Sequence, residues 1–326
     1  MTATNAVHAT GLVKTFGDFT AVDGIDLEVR QGEIFGVLGP NGAGKTTTLS
    51  MLATLLPIDA GHAEIFGVDV RREPHKVRQL VGVTGQYASV DENLSATENL
   101  MLFARLLGQS TGQARRTAAD LLERFGLADA AGRQIKNFSG GMRRRLDLAA
   151  SLIARPPLIF LDEPTTGLDP RTRGQMWDTI RELVAQGSTI LLTTQYLDEA
   201  DQLADRIAVI DRGRKVAQGT SSELKASVGS STLQVRLTDP GATARAAGVV
   251  EQVLGAAPVV TPEAGGLSIA LPDANRAADV LIALRQAELS ITTAAVQQPT
   301  LDEVFLALTG HHSEDQNDQT ENEEVA

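Results

Sequence analysis

The sequence predicts an α/β protein in several parts. A core with a mostly parallel sheet is preceded by an antiparallel N-terminal β subdomain and interrupted by a helical insert. A C-terminal α+β domain of split βαβ, ferredoxin-like pattern follows. Three observations carry this prediction. An apolar run, Glu33–Leu38, leads directly into a glycine-rich segment, Gly39–Thr47, and then into a helical start, which is a strand–loop–helix order. Short apolar runs then alternate with helical periods to about residue 226, the mark of a parallel sheet. Beyond Ser230 the order becomes β-α-β-β-α-β, the split βαβ pattern.

The elements follow in chain order. Strand signals occupy Val7–Val13, Thr20–Val29 and Glu33–Leu38, and a helix is expected over Gly44–Leu55. Further strands are expected at Ala63–Phe66, Val81–Thr84, Leu158–Leu161, Thr189–Thr193 and Ile207–Asp211. The stretch Thr97–Asn137 breaks the alternation. Its apolar residues recur at helical spacing over Thr97–Leu107 and Gly112–Phe125, with no strand between, so residues 97–150 read as an inserted helical subdomain. A helix over Met142–Ala154 closes it. The core domain thus spans 5–226 and the second domain 230–310. In the second domain strands are expected at Thr232–Thr238, Pro258–Thr261, Leu267–Leu271 and Ser290–Val296, with helices at Thr243–Leu254 and Asn275–Glu288. A last amphipathic helix, Leu301–Leu308, is expected to pack Leu301, Val304, Phe305 and Leu308 on this domain. Residues 311–326 carry six acids, no Lys or Arg and no apolar period, a composition that predicts disorder.

Bulk properties bound the function. Of 326 residues 42% are apolar, enough for sizeable cores in two domains. A net charge of −12 argues against a general nucleic-acid binder, which needs clustered Lys and Arg. With no cysteine, disulfides and thiolate metal sites are excluded. The N-terminus has neither the basic nor the apolar region of a secretory signal. No stretch approaches the ~18 uninterrupted apolar residues of a membrane span. The expectation is a soluble cytoplasmic protein whose membrane role, if it has one, runs through a partner.

Gly39, Gly44, Lys45 and Thr46 fit the pattern G-x-x-x-x-G-K-[ST], the loop that cradles nucleotide phosphates. The glycines let backbone N–H groups turn inward without a Cβ in the way. The helix start adds its positive end. Lys45 supplies a point charge for the β- and γ-phosphates, and the Thr46 hydroxyl is placed to ligate Mg²⁺. Downstream, Leu158–Glu163 is an apolar strand ending in two carboxylates. Ligands of open α/β sheets gather at the carboxyl ends of strands, which puts Asp162 and Glu163 beside that loop. Asp162 can hold Mg²⁺, directly or through water, while Glu163 can orient or deprotonate the attacking water. A third segment, Phe138-Ser139-Gly140-Gly141-Met142, opens a helix with a hydroxyl, exposed amides and a dipole. It lies 19 residues before the strand that ends in the two acids. One chain with one nucleotide then carries two phosphate-type helix starts. The economical explanation is that Ser139, Gly140 and Gly141 reach a γ-phosphate bound on another copy.

Together these segments resemble the ATP-binding subunit of ABC transporters over residues 5 to about 226. GPNGAGKTT is similar to Walker A, so Gly39, Pro40, Asn41, Gly42, Ala43, Gly44, Lys45, Thr46 and Thr47 would form the ATP cradle. FSGGM corresponds to the signature, LIFLDE to Walker B and Gly167-Leu168-Asp169 to the D-loop. By this resemblance Gln86 is the Q-loop glutamine that contacts Mg²⁺ and the membrane partner, and Phe16 stacks on adenine. Asp169 communicates across a head-to-tail homodimer.

Two positions depart from the family pattern. Met142 stands where the signature usually has Gln, and Gln195 stands at the switch position where most members have His. Gln can donate and accept hydrogen bonds but cannot become cationic. It keeps a contact role, with slower turnover expected than for a His version. FSGGMRRRLDLAASLI, TTQYLDEADQLADRI and Pro299–Phe305 resemble the daunorubicin-resistance (DrrA-type) branch, extending the likeness to nearly the whole chain. That branch implies export of antibiotics or lipids with a separate permease of the DrrB type, from the cytoplasmic face of the membrane. Two other readings share the core motifs: a soluble ATPase acting on nucleic acid or ribosomes, and an import ATPase. The acidic charge and the single nucleotide domain oppose the first. The compact basic run, Arg143-Arg144-Arg145, is better placed to serve the signature interface than a nucleic acid. The branch-specific departures oppose the second.

Overall fold

The computed structural model describes residues 5–85, 90–229, 231–261, 264–271, 273 and 275–310. In chain order the first unit contains β1 (Asn5–Phe16), β2 (Phe19–Arg30), β3 (Ile34–Leu38), α1 (Lys45–Leu52), β4 (Ala60–Ile65), β5 (Val68–Asp69), α2 (Pro74–Leu80) and β6 (Val81–Thr84). It continues with α3 (Ala96–Leu106), α4 (Thr111–Arg124), α5 (Gly140–Ser151), β7 (Leu158–Asp162), α6 (Pro170–Ala185), β8 (Thr189–Thr194), α7 (Leu197–Leu203), β9 (Arg206–Asp211) and β10 (Arg214–Gly219). The compact units divide between Ser221 and Ser222.

The central sheet runs β10-β9-β3-β8-β7-β6. Five of its strands are parallel, and β10 pairs antiparallel with β9 at the edge. Its inner strands β3, β8 and β7 are buried along their whole length, so their apolar residues run in succession rather than alternating with polar ones. The two faces feed different cores. On β7, Leu158 and Phe160 join the cluster with α1 and the N-terminal sheet, whereas Ile159 and Leu161 join the cluster built on the helical insert. On β8, Leu191 faces the first cluster and Ile190 and Leu192 the second, as the two-residue period of a strand requires. The N-terminal sheet, β2-β1-β4-β5, is antiparallel.

The helical insert contains α3, α4 and α5. Its first two helices start on reciprocal caps. Ser95 and Glu98 cap α3, and Ser110 and Gln113 cap α4, each side chain serving the other's backbone N–H. Such boxes satisfy two of the otherwise orphaned donors at a helix start.

The boundary falls at the start of α8 (Ser221–Val228), whose remaining residues open the second unit. Then follow β11 (Thr232–Leu237), α9 (Thr243–Leu254), β12 (Val259–Val260), β13 (Gly266–Ala270), α10 (Arg276–Gln286), β14 (Ile291–Gln297) and α11 (Leu301–Thr309). The sheet order is β12-β13-β11-β14, antiparallel throughout, the order of a split βαβ fold. Leu233, Val235 and Leu267 of the sheet pack with Val250 and Leu284 of its two helices. On α11, Leu301, Val304 and Phe305 are buried but Leu308 is 37% exposed, so the apolar face is one residue narrower than the sequence stripe suggests. The acidic segment 311–326 lies outside the described residues.

Candidate active site

The glycine-rich loop joins β3 to α1 in the middle of the central sheet. Its glycines answer to specific crowding. A Cβ on Gly39 would stand 2.2 Å from the Ile210 carbonyl oxygen, and one on Gly44 would stand 2.4 Å from the Ala21 carbonyl oxygen. Gly44 also adopts φ +99° as the residue before α1, a left-handed conformation that L side chains resist. The same Ala21 oxygen crowds Gly213, where a Cβ would come to 2.9 Å. One carbonyl of β2 is therefore wedged between two glycines. No side chain caps α1, so its first amides face the loop, as an anion site requires.

Four predicted residues are drawn together by strand order. β8 lies between β3 and β7, which places the end of β7 beside the loop. The Thr46 hydroxyl donates to Asp162 Oδ1 at 3.0 Å, and the Thr193 hydroxyl donates to the same oxygen at 2.6 Å. Lys45 Nζ donates to the carbonyls of Gly39 (2.7 Å) and Pro40 (3.0 Å) and lies 3.5 Å from Glu163 Oε1. Burial pushes the Lys45 ammonium below its ordinary pKa, while Glu163 and then Asp162 oppose that shift. Glu163 itself is 8% exposed and sits at φ +48°. A non-glycine residue there is strained by roughly 1–3 kcal/mol and persists only when its surroundings over-determine it. Here they do. Its N–H reaches the Thr193 carbonyl and hydroxyl, both at 3.1 Å, and the Thr166 hydroxyl donates to its carboxylate at 3.2 Å.

The remaining predicted residues stand apart from this cluster. Ser139 caps α5, its hydroxyl accepting from Met142 N at 3.3 Å, and both it and Gly140 are exposed. Gly141 is buried, and a Cβ there would meet Thr172 Cγ2 at 2.5 Å. Asp169 caps α6 through Thr172: the backbone N–H donates at 3.0 Å and the hydroxyl at 2.6 Å. The Thr172 hydroxyl, followed by its N–H, holds the Asp169 carboxyl below the usual carboxylate range. Phe16 ends β1 and is 47% exposed, with Lys14 Nζ 5.5 Å from its ring centroid, so it is not a core aromatic. Asn41, Gly42, Ala43 and Thr47 complete the loop and the first turn of α1. Gln195 is half-buried between β8 and α7. Gln86 lies outside the described residues.

The three arginines of the basic run take separate partners. Arg143, Arg144 and Arg145 do not form one patch, because successive helix residues point ~100° apart. Arg143 pairs with Glu92 at 2.6 Å and Arg145 donates to the Phe125 carbonyl at 3.1 Å. Arg144 turns inward to the end of β7. Two further residues escaped the sequence reading. One is Thr193, whose only signal was a polar end to an apolar strand. The other is Glu199, fully buried on α7, where it accepts from the Thr165 hydroxyl (2.8 Å) and Trp177 Nε1 (3.1 Å). Burial pushes the Glu199 carboxyl up, against hydrogen bonds from Thr194, Thr165 and Trp177.

The donor set is chemically suited to a hard cation: one hydroxyl and one carboxylate oxygen in contact at the mouth of an amide-lined loop. The fold and this cluster define a P-loop nucleotide hydrolase built as an ATP-binding cassette. Comparison with known proteins agrees. Residues 22–166 match the ABC transporter family, and residues 219–309 match the family described as ATP-binding protein DrrA1-3-like, C-terminal domain. The daunorubicin/doxorubicin resistance ATP-binding protein DrrA of Streptomyces peucetius is 53% identical over 325 residues, covering 99% of this chain and 98% of that one. The linearmycin resistance ATP-binding protein LnrL of Bacillus subtilis (strain 168) is 36% identical, covering 93% and 98%. Among solved structures, the ADP conformation of an ATP-binding cassette of an ABC transporter superposes with a TM-score of 0.59 at 25% identity, covering 67% of this chain and 92% of that one. An ATP-binding subunit of an ABC transporter gives 0.61 at 27%, covering 68% and 92%. The chain belongs to the ABC transporter family, as an ATP-binding subunit of the daunorubicin-resistance (DrrA) group. It is an ATPase that powers transport. No described helix is long and apolar enough to cross a membrane.

Proposed function

We propose that this chain energises export of an amphiphilic drug, antibiotic or lipid-like molecule through a separate DrrB-like membrane subunit. It works as a head-to-tail homodimer at the cytoplasmic face of the membrane. The observation that carries the hydrolytic part is the contact chain Thr46–Asp162–Thr193–Glu163–Lys45, which links the phosphate loop to two strand-end carboxylates. The names of its relatives, two resistance proteins and a Nod factor export ATP-binding protein I from Ralstonia nicotianae that is 45% identical over 68% of this chain and 69% of that one, support the export direction.

In this reading the loop amides and Lys45 hold the β- and γ-phosphates of ATP. Thr46 and Asp162 hold Mg²⁺, with Gln86 as its further ligand. The ion, when bound, neutralises charge on the phosphate oxygens. Glu163 orients the attacking water and takes its proton. Gln195 contacts the γ-phosphate, and Phe16 stacks on the base. Ser139, Gly140 and Gly141 close over the nucleotide of the other copy, and Asp169 lies at the same seam. Catalysis is then positioning plus charge neutralisation.

Glu163→Gln tests the hydrolytic core. ATP binding should persist while turnover falls by about 10²–10⁴-fold, the usual worth of a general base; near-normal turnover removes Glu163 from the mechanism. Isolation of the chain from its native membranes in mild detergent tests the rest. A co-purifying polytopic membrane protein supports the exporter reading, and ribosomal or nucleic-acid partners in its place overturn it.

A further inference from the structure

Arg144 is the residue of the basic run that turns into the site, where its guanidinium donates to four backbone carbonyls. Its Nε donates to the Pro164 carbonyl at 3.2 Å. Its Nη2 donates to the carbonyls of Asp162 (2.6 Å) and Glu163 (2.9 Å), and its Nη1 donates to Gly85. Four of the five N–H donors of the guanidinium are thereby engaged. The acceptors come from two different strand ends. Gly85 follows β6 and immediately precedes Gln86, and residues 162–164 are the turn that leaves β7. The donor comes from a third element, α5.

Three features make this more than a buried tether. First, Glu163 is the strained residue of the site, at φ +48°. Its N–H is fixed by Thr193 and its carbonyl by Arg144, so Arg144 supplies one of the constraints that a left-handed glutamate needs. Second, α5 begins at Ser139, only five residues before Arg144 and within one rigid helix. Third, the first turn of α5 is locked to the next segment. Gly141 packs against Thr172, which in turn binds Asp169. A shift of the N-terminal turns of α5 is therefore transmitted through Gly141 to the cap of α6 and, one turn on, through Arg144 to the backbone of Glu163.

We propose that Arg144 is a positioning residue that sets the Glu163 backbone and the end of β6 at Gly85 in register with the signature helix. Hydrolytic competence then depends on where α5 sits. This rests on the reading of Glu163 as the hydrolytic carboxylate. A lysine cannot replace the fork, because its three donors radiate from a single point and cannot span carbonyls on two strand ends.

The test uses the full chain with R144Q, R144K and, as a control on the exposed face of α6, R181Q. Nucleotide affinity is read by titration with a fluorescent ATP analogue, kcat and KM by steady-state hydrolysis, and folding by thermal melting. The expected result for R144Q is a kcat lower by about tenfold to a hundredfold, the scale of a small misplacement of a reacting group, with nucleotide affinity unchanged. R144K should fall between R144Q and wild type, and R181Q should match wild type. If R144Q does not fold, R144K decides: reduced kcat at unchanged affinity supports the proposal. An unchanged kcat, or a loss of kcat and affinity together in proportion to the folded fraction, overturns it. Should Glu163→Gln keep normal turnover, the underlying reading has failed; should Glu163→Gln lose turnover while R144Q and R144K do not, only the role of Arg144 has failed.

Discussion

Two helices of the first unit start on glycine and a polar side chain, and they are built in opposite ways. At α1 the crowding is at the mouth. Gly39 and Gly44 are pressed against the carbonyls of Ile210 and Ala21, Lys45 is buried, and no side chain caps the amides. At α5 the mouth is open. Ser139 and Gly140 are exposed, nothing stands within 4 Å of a Cβ on Gly140, and Ser139 caps its own helix. The crowding is behind, where Gly141 meets Thr172. The first start is a cradle enclosed by its own chain. The second is held from the back with its face left open. A glycine motif thus has two meanings in one protein: at α1 it lets the loop pack against carbonyls of neighbouring strands, and at Gly141 it lets two helices approach each other.

The comparison can be broken first at Lys45. Lys45→Ala should cost about 2–5 kcal/mol in ATP affinity, the range for truncating one side of a buried charged contact, as read by nucleotide titration; an affinity within a small factor of wild type would mean that the α1 cradle is not the phosphate site. Next comes Gly141→Ala. Alanine is the better helix former, yet the clash with Thr172 Cγ2 should make the variant less stable by about 1–3 kcal/mol in denaturant titration. Thr172→Ser, which removes that methyl, should restore part of the loss, and Gly140→Ala should cost no stability. Ser139→Ala should lower stability by about 1 kcal/mol as a lost cap. If α5 is also a half-site for the second copy, turnover should fall further while the ATP affinity of a single copy holds; loss of stability alone would reduce Ser139 to a cap. The smallest effect is expected at Gln195→His. A titratable ring at the switch position should raise turnover a few-fold near neutral pH, and an unchanged or lower rate would count against the contact role of Gln195.

Much of this was legible in the sequence because the signals are local. The strand before Gly39, the strand before Asp162 and the paired helices of the insert each announce themselves within a dozen residues. The split βαβ domain has alternating strands and periodic helices set off by turns, and α9 begins and ends where its apolar period does. What was not legible depends on neighbours far away in the chain. Nothing near Thr193 says that β8 will lie between β3 and β7, yet that placement alone brings its hydroxyl to Asp162. Arg144 reads as one of three equivalent cations until the helix is built and its rotation picks out the inward one. Leu308 fits the helical stripe of α11 but lies in its last turn and remains partly exposed. The helices α6 and α7 were hidden for a different reason. Asp169 and Gln195 read as loop motifs, whereas Asp169 also caps the 16-residue α6 and Gln195 sits at the entry to α7.

The Ala21 carbonyl has a consequence for nucleotide choice. It is wedged against Gly44, at the start of the phosphate cradle, and it belongs to the strand that pairs Phe19 with Phe16 at the tip of the hairpin. Only two residues, or about 7 Å of extended strand, separate Phe19 from that wedge. The hairpin therefore acts as a ruler, fixing how far the aromatic tip can stand from the phosphates. An inserted or deleted residue between Phe16 and Ala21 would change the span and turn the ring to the opposite face of the strand. Under the stacking role proposed above for Phe16, a site measured this way gauges the length of its ligand and, since every base offers a flat face for stacking, reads that length in preference to the identity of the base.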